Sequence, residues 1–154
     1  MLIGGGRMTT LCVDASIAPK WWFPEVHSAE AELLRIGDFE LIAPALLPIE
    51  LASVFVHKFR RHQISEEQLA RFSVEIARTP VRIFDAGTAL AAAIDLAARY
   101  HPSLYGCLYA ALALRERCQV VTADRRFYDA LSKPFPQTML WIADLPALAR
   151  RTSG

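Results

Sequence analysis

The sequence lacks the features that mark membrane-bound and secreted proteins. Its longest apolar stretch, residues 41–56, contains two prolines and a glutamate, so it falls short of the roughly 20 uninterrupted apolar residues of a membrane span. Residues 1–7 hold three consecutive glycines and no apolar core of a signal peptide, and Met8 is an alternative start. We therefore predict a cytoplasmic protein with no membrane segment.

Cysteine, histidine and net charge are equally uninformative as signs of function. The three cysteines have no C-x-x-C spacing and lie in apolar surroundings, which predicts reduced, buried thiols. The four histidines share no zinc-ligand spacing, and no glycine loop follows a strand to bind phosphate. Seventeen basic and sixteen acidic side chains leave a net charge of +1, so any affinity for nucleic acid must come from local patches.

The chain has the length of one domain and an apolar excess. Its 154 residues can bury a single core, and we predict an extension at 1–8, a domain at 9–146 and a tail at 147–154. Hydrophobic residues make up 53% and the mean hydropathy is +0.23, which leaves apolar surface for a partner or a second copy.

Strand-like and helix-like segments alternate along the chain. The predicted strands cover 11–13, 39–43, 81–84, 119–122 and 138–142, and the predicted helices cover 20–36, 49–62, 66–78, 86–100, 104–117 and a short segment through 131. This alternation predicts a three-layer α/β/α fold with a mainly parallel central sheet. In such sheets, functional sites lie beyond the carboxyl ends of the strands.

Acidic residues stand where that edge is predicted. Asp14 and Asp124 each follow an apolar strand, and Glu50 lies near the start of a helix. Clustered carboxylates repel one another unless a divalent cation is present, and Mg²⁺ suits oxygen ligands. Two simpler interpretations stay open, because Glu50 could favour the helix dipole and Asp124 could cap the helix that follows it.

Four segments in order resemble the PIN-domain family in its VapC branch, over about residues 11–142. They are 13–16 with the tryptophans at 21 and 22, 48–51, 105–113 and 121–127. The resemblance implies a toxin endoribonuclease that depends on Mg²⁺, with Mn²⁺ as an alternative. It also implies an RNA substrate, a cognate antitoxin as inhibitor and a homodimer.

The resemblance assigns roles to particular residues. Asp14, Glu50 and Asp124 would be the catalytic metal ligands, with Ser16 and Thr122 as polar supports. The bound ion would polarise the phosphate and activate a water for attack. Arg125 and Arg126 lie beside this site in sequence and are candidates for binding phosphate.

Gly106 departs from the family pattern, which places an aspartate between Tyr105 and Cys107. A missing carboxylate would weaken the metal site, so we expect reduced or lost activity. The alternative is that a neighbouring helix packs too closely for a side chain. Asp129 is a candidate replacement ligand, although an acid on a short helix is more simply a surface residue.

Two rival functions follow from the same residues. A non-catalytic PIN-domain protein would keep antitoxin or RNA binding without cleavage, and only Gly106 favours it. A receiver-like phosphoacceptor would need an adjacent acidic pair after the first strand and a lysine after a late one, which this sequence lacks. The segment 21–23 could stack on bases, but aromatic runs more commonly pack in the core.

Overall fold

A computed structural model of the chain describes residues 8–152. In this range five parallel strands form one sheet in the order β3-β2-β1-β4-β5, with β1 at its centre. The strands are β1 (Thr9–Val13), β2 (Phe39–Pro44), β3 (Arg82–Phe84), β4 (Gln119–Thr122) and β5 (Met139–Trp141). The predicted parallel sheet is confirmed.

Helices cover both faces of the sheet. They are α1 (Ser28–Ile36), α2 (Leu46–Arg60), α3 (Glu66–Ile76), α4 (Leu90–Tyr100), α5 (Leu104–Arg115), α6 (Arg125–Ser132) and α7 (Leu145–Thr152), with 3-10 turns at Ala18–Trp21, Ala86–Ala89 and Ile142–Asp144. A capping box begins α3, since Ser65 Oγ accepts a hydrogen bond from the backbone N–H of Gln68 and the Gln68 side chain accepts one from the backbone N–H of Ser65.

Alternating side chains of the central strand divide the core in two. Leu11 and Val13 pack with buried residues of α1 and α7 on one face, whereas Cys12 packs with α4 and α5 on the other. This alternation is what a strand covered on both sides requires. The three-layer α/β/α prediction is therefore confirmed.

The predicted helix over 20–36 is wrong in its first half. A 3-10 turn ends at Trp21, and α1 begins only at Ser28 after His27, whose φ is 66°. Pro24 lies in the gap. Proline disfavours helical geometry in the residue before it and lacks a backbone donor, so the helix cannot run through this point.

Two other helix starts differ from the prediction. Helix α2 begins at Leu46 and not at residue 49, because Pro48 still falls in the first turn, where a missing N–H costs nothing. The segment predicted as one helix over 86–100 begins as a 3-10 turn, in which Asp85 accepts a hydrogen bond from the Gly87 amide.

The ends of the chain also bear on the prediction. The predicted N-terminal extension lies outside the described residues except for Met8, and the predicted tail includes most of α7, whose Leu145 is buried and whose Leu148 packs against the same core. The domain boundary itself stays a prediction. No helix within 8–152 is long and apolar enough to cross a bilayer.

Candidate active site at the carboxyl edge of the sheet

Acidic side chains from three separate elements line one cavity at the carboxyl edge of the sheet. Val13 pairs with Val121 in the register of β1 and β4, which brings Asp14 next to Thr122. The cavity has a volume of about 280 Å³. Its lining residues are Asp14, Ala15, Ser16, Glu50, Val54, Ser103, Tyr105, Gly106, Tyr109, Asp124 and Phe127.

Asp14 is buried and held by hydroxyl groups. Its Oδ2 accepts hydrogen bonds from Ser16 Oγ at 2.6 Å and from Thr122 Oγ1 at 2.8 Å. Ser16 Oγ accepts from the Ala123 amide, and Thr122 Oγ1 accepts from the Asp124 amide. The two predicted supports therefore tie Asp14 to the backbone that leaves β4.

Burial dominates the electrostatics of Asp14. Removal from water raises the pKa of its carboxyl group, and the hydrogen bonds from Ser16 and Thr122 lower the pKa by a smaller amount. With 6% of its surface exposed, an ionised Asp14 gains little solvation from water. A cation in the cavity would stabilise that charge.

Glu50 reaches the cavity from α2. Because α2 begins at Leu46, Glu50 lies beyond the first turn, so the helix dipole does not account for it. The Tyr109 hydroxyl donates a hydrogen bond to Glu50 Oε1 at 2.9 Å. Burial raises the pKa of Glu50, the hydrogen bond from Tyr109 lowers it, and the nearby charge of Asp14 raises it again.

Asp124 has a structural role and a place in the cavity at once. Its Oδ1 accepts a hydrogen bond from the Phe127 amide at 3.2 Å, so it caps α6 as the simpler interpretation predicted. Its Oδ2 accepts no hydrogen bond from any residue in 8–152 and, like Oε2 of Glu50, keeps its ligand capacity. Capping and cation binding are therefore compatible at this residue.

Phe127 occupies the space beside Gly106. A Cβ atom at position 106 would lie 3.1 Å from Cδ2 of Phe127 and 3.3 Å from Ser103 Oγ. Phe127 is 5% exposed and belongs to the core, so its ring would have to shift by a few tenths of an ångström. This close packing favours the packing explanation of Gly106, because a neighbouring helix does take up the room.

The three carboxylates of the cavity are the type of ligand that a hard cation prefers, but they do not form a complete metal site. Carboxylate oxygens are the ligands that Mg²⁺ takes, and three carboxylates share the cavity. However, no group of three or more His, Cys, Asp or Glu side chains in the described range is arranged to hold a metal. Gly106 adds no fourth carboxylate to the set.

The structure separates the two arginines that the sequence placed side by side. The guanidinium of Arg125 lies 3.7 Å from the centre of the Trp141 ring and 3.8 Å from Asp129 Oδ1. Asp129 is exposed and does not line the cavity, so it replaces no ligand. Arg126 makes neither contact.

The remaining motifs are structural. Trp22 Nε1 donates to Glu75, and Trp22 and Phe23 pack edge-on against Phe55, so the aromatic run belongs to the core. The three cysteines are free, and Cys12 and Cys107 are buried as predicted, whereas Cys118 is only partly buried.

Tyr109 is the site residue that sequence reasoning missed. A signal was present, because Tyr109 follows Gly106 by three residues on a predicted helix and so shares its face. Phe127 was also missed, and nothing in the sequence shows that its ring packs on Gly106. That contact depends on the angle between α5 and α6.

Comparison with known proteins agrees with this fold. The fold defines the class of this protein: it is a parallel α/β domain with acidic residues at the carboxyl edge of its sheet. The PIN domain family model matches residues 11–131, and the chain belongs to the PIN-domain family. No curated protein matches the sequence.

Two solved structures share the fold. The crystal structure of PAE2754 from Pyrobaculum aerophilum superposes with a TM-score of 0.63 at 14% identity, covering 97% of this chain and 98% of that one. A toxin-antitoxin complex from Klebsiella pneumoniae gives 0.51 at 17% identity, over 77% and 89%. At these identities the likeness concerns the fold alone.

Proposed function

We propose that this chain is a VapC-like toxin, a magnesium-dependent endoribonuclease whose activity is reduced or lost because Gly106 replaces a metal-binding aspartate. PIN domains are generally nucleases, so membership in the family supports a hydrolase. The observation that carries the proposal is the shared cavity of Asp14, Glu50 and Asp124, which come from three distant parts of the chain.

Each residue has a defined part in this proposal. Asp14, Glu50 and Asp124 would hold Mg²⁺ or Mn²⁺, which when bound polarises the scissile phosphate and lowers the pKa of a water. Ser16 and Thr122 fix one oxygen of Asp14, as their hydrogen bonds to Oδ2 indicate. Hydrogen bonds from such supporting residues orient metal ligands and tune their affinity.

Partners and location complete the proposal. A cognate antitoxin is supported by the structural similarity to a chain of a toxin-antitoxin complex. A homodimer is supported by exposed apolar side chains on one helix, where Leu90 and Ile94 are 42% and 53% exposed. The free cysteines support a cytoplasmic location.

The test compares magnesium-dependent cleavage of a structured RNA by the natural chain, Gly106→Asp, Gly106→Asn and Gly106→Ala, with EDTA controls. We expect only Gly106→Asp to restore cleavage. Alanine places a Cβ against Phe127 without a carboxylate, and asparagine matches the aspartate in size. Cleavage restored by alanine or asparagine would show that charge at position 106 is not the missing element.

A second candidate function is a PIN-domain binding protein that no longer cleaves. The packing of Phe127 on Gly106 favours it, because the ring would have to shift before a side chain at 106 could be accommodated. In this case no variant at position 106 cleaves, although binding to RNA or antitoxin persists. Equal cleavage by the natural chain and Gly106→Asp would instead mean that glycine is tolerated in an active enzyme.

A further inference from the structure

A second cavity adjoins the carboxylate cavity. It has a volume of about 350 Å³. Its lining residues are His101, Pro102, Ser103, Asp124, Arg126, Phe127 and Ala130. Both cavities are lined by Ser103, Asp124 and Phe127. A linear polymer bound in one cavity would therefore reach directly into the other.

The second cavity differs from the first in having an unpaired arginine in its lining, beside the Asp124 that the two cavities share. Arg126 is exposed and forms no ion pair, hydrogen bond or ring contact with any residue in the described part of the chain. His101 is exposed at the end of α4, where a φ of 64° turns the backbone out of the helix. Both side chains are therefore free to meet a ligand.

Arg125 provides the contrast on the same helix. Successive helix residues point about 100° apart, and Arg125 is directed to Trp141, Tyr128 and Asp129. Its guanidinium already has a stacking surface and an acidic partner. The two neighbouring arginines thus have the same charge but different surroundings.

We infer that the second cavity binds the RNA phosphate next to the one that is cleaved, with Arg126 as the principal donor and His101 as a second. The inference rests on the proposed function. A guanidinium can contact two phosphate oxygens at once, with charge-assisted hydrogen bonds. Asp124 lies in the shared wall, so Arg126 also offsets its repulsion of the phosphate.

The test measures binding, so it does not depend on cleavage. Fluorescence anisotropy would follow a labelled single-stranded RNA octamer in Mg²⁺, with gels to verify that the RNA stays intact. We expect Arg126→Gln to raise the Kd by about tenfold, the loss of one charge-assisted contact. The same variant should flatten the slope of log affinity against log salt by about 0.7.

The matched control is Arg125→Gln, which removes the same charge one residue away. We expect its Kd to stay within about twofold of the natural chain, because Arg125 does not line the second cavity and its guanidinium already lies against Trp141 and Asp129. Arg126→Lys should retain part of the affinity, because it keeps the charge and loses the two-point contact. Thermal unfolding of each variant checks that the fold is intact.

Octamers with one methylphosphonate linkage at a time locate the phosphate. We expect one linkage to weaken binding by the natural chain and to have no effect on Arg126→Gln. If RNA binds but Arg125→Gln and Arg126→Gln weaken it equally, or neither does, the inference is wrong and the proposed function stands. If the natural chain binds no RNA at all, both are overturned.

Discussion

The cavity has two walls that differ in how firmly they are built. The Asp14 wall, formed by Asp14 and Ser16 with Thr122 buried behind them, is a closed network in which each side chain is hydrogen-bonded to another and to the backbone. The Gly106 wall, formed by Ser103, Gly106 and Phe127, has no carboxylate, and the Phe127 ring lies 3.1 Å from the position that a Cβ at 106 would take. One wall retains a complete polar arrangement, whereas the other lacks a carboxylate and is packed against an aromatic ring.

The comparison shows which half of the site the fold itself requires. Asp14 and Thr122 join the ends of β1 and β4, so their hydrogen bonds stabilise the sheet edge whether or not a reaction occurs. A carboxylate at position 106 would have no such structural role, because Ser103 already caps α5 through the Gly106 amide. We therefore expect a change at 106 to cost the fold no more than a small shift of the Phe127 ring.

The largest expected effect comes from breaking the Asp14 wall. Thr122→Val keeps the shape of the side chain but removes a donor to Asp14 and an acceptor for the Asp124 amide. Because Thr122 is 0% exposed, we expect a loss of about 2 kcal/mol in the free energy of unfolding. Urea denaturation measures it.

Thr10→Val is the control for this prediction. Thr10 lies on β1, the strand that pairs with the β4 strand of Thr122, away from the cavity, and its side chain makes one hydrogen bond to Glu40 at 3.2 Å. Its replacement should cost less than half as much. An equal loss from both variants would show that the Asp14 wall is no more cooperative than an ordinary strand contact.

The next effect comes from opening the Gly106 wall. In the Gly106→Asp chain, Phe127→Leu removes the ring atoms that lie 3.1 and 3.3 Å from the new Cβ. We expect the double variant to cleave RNA about tenfold faster than Gly106→Asp alone, since small displacements of a reacting group are costly. A rate no higher than that of the single variant would show that Phe127 already yields to the aspartate.

The smallest effect concerns the charge of Asp14. Burial raises the pKa of Asp14 in the folded state, so the folded chain holds this proton more readily than the unfolded chain. The protonated Asp14 carboxyl therefore contributes to stability in full below the unfolded-state pKa of an aspartate, about 3.9. This contribution is lost as the pH rises through the folded-state pKa of Asp14.

Asp14→Asn should remove this contribution. In EDTA, we expect the free energy of unfolding of the natural chain to decline relative to that of Asp14→Asn as pH rises from about 4 toward neutrality. Chemical denaturation at several pH values measures the difference. A constant difference across this range would show that Asp14 is not destabilised by burial.

The sequence predicted the Asp14 wall better than the rest of the site. Asp14 and Asp124 follow apolar strands, and a parallel sheet brings such positions to one edge, so their proximity follows from topology alone. The role of Glu50 was harder to predict, because it depends on where the helix begins. An acid in the first turn is explained by the helix dipole, whereas an acid beyond the first turn is not. That start, at Leu46, depends on a proline that is tolerated in the first turn.

Tertiary packing determined what the sequence did not predict. The sequence alone does not distinguish Arg125 from Arg126. Their surroundings differ because Trp141 on β5 lies against the guanidinium of Arg125. The tight contact of Phe127 with Gly106 likewise depends on the approach of α5 and α6. By contrast, the break in the helix predicted over 20–36 was available in the sequence, because Pro24 marks it.

Because Val13 on β1 pairs with Val121 on β4, the cavity cannot form during synthesis until β4 has been made. Residues of β1 are made first, and the partner strand that supplies Thr122 and Asp124 is made only after 100 or so further residues. Until β4 has left the ribosome and joined the sheet, Asp14 has no Thr122 to hold it. A nascent or truncated chain that stops before β4 therefore carries the first acid of the site without forming the site.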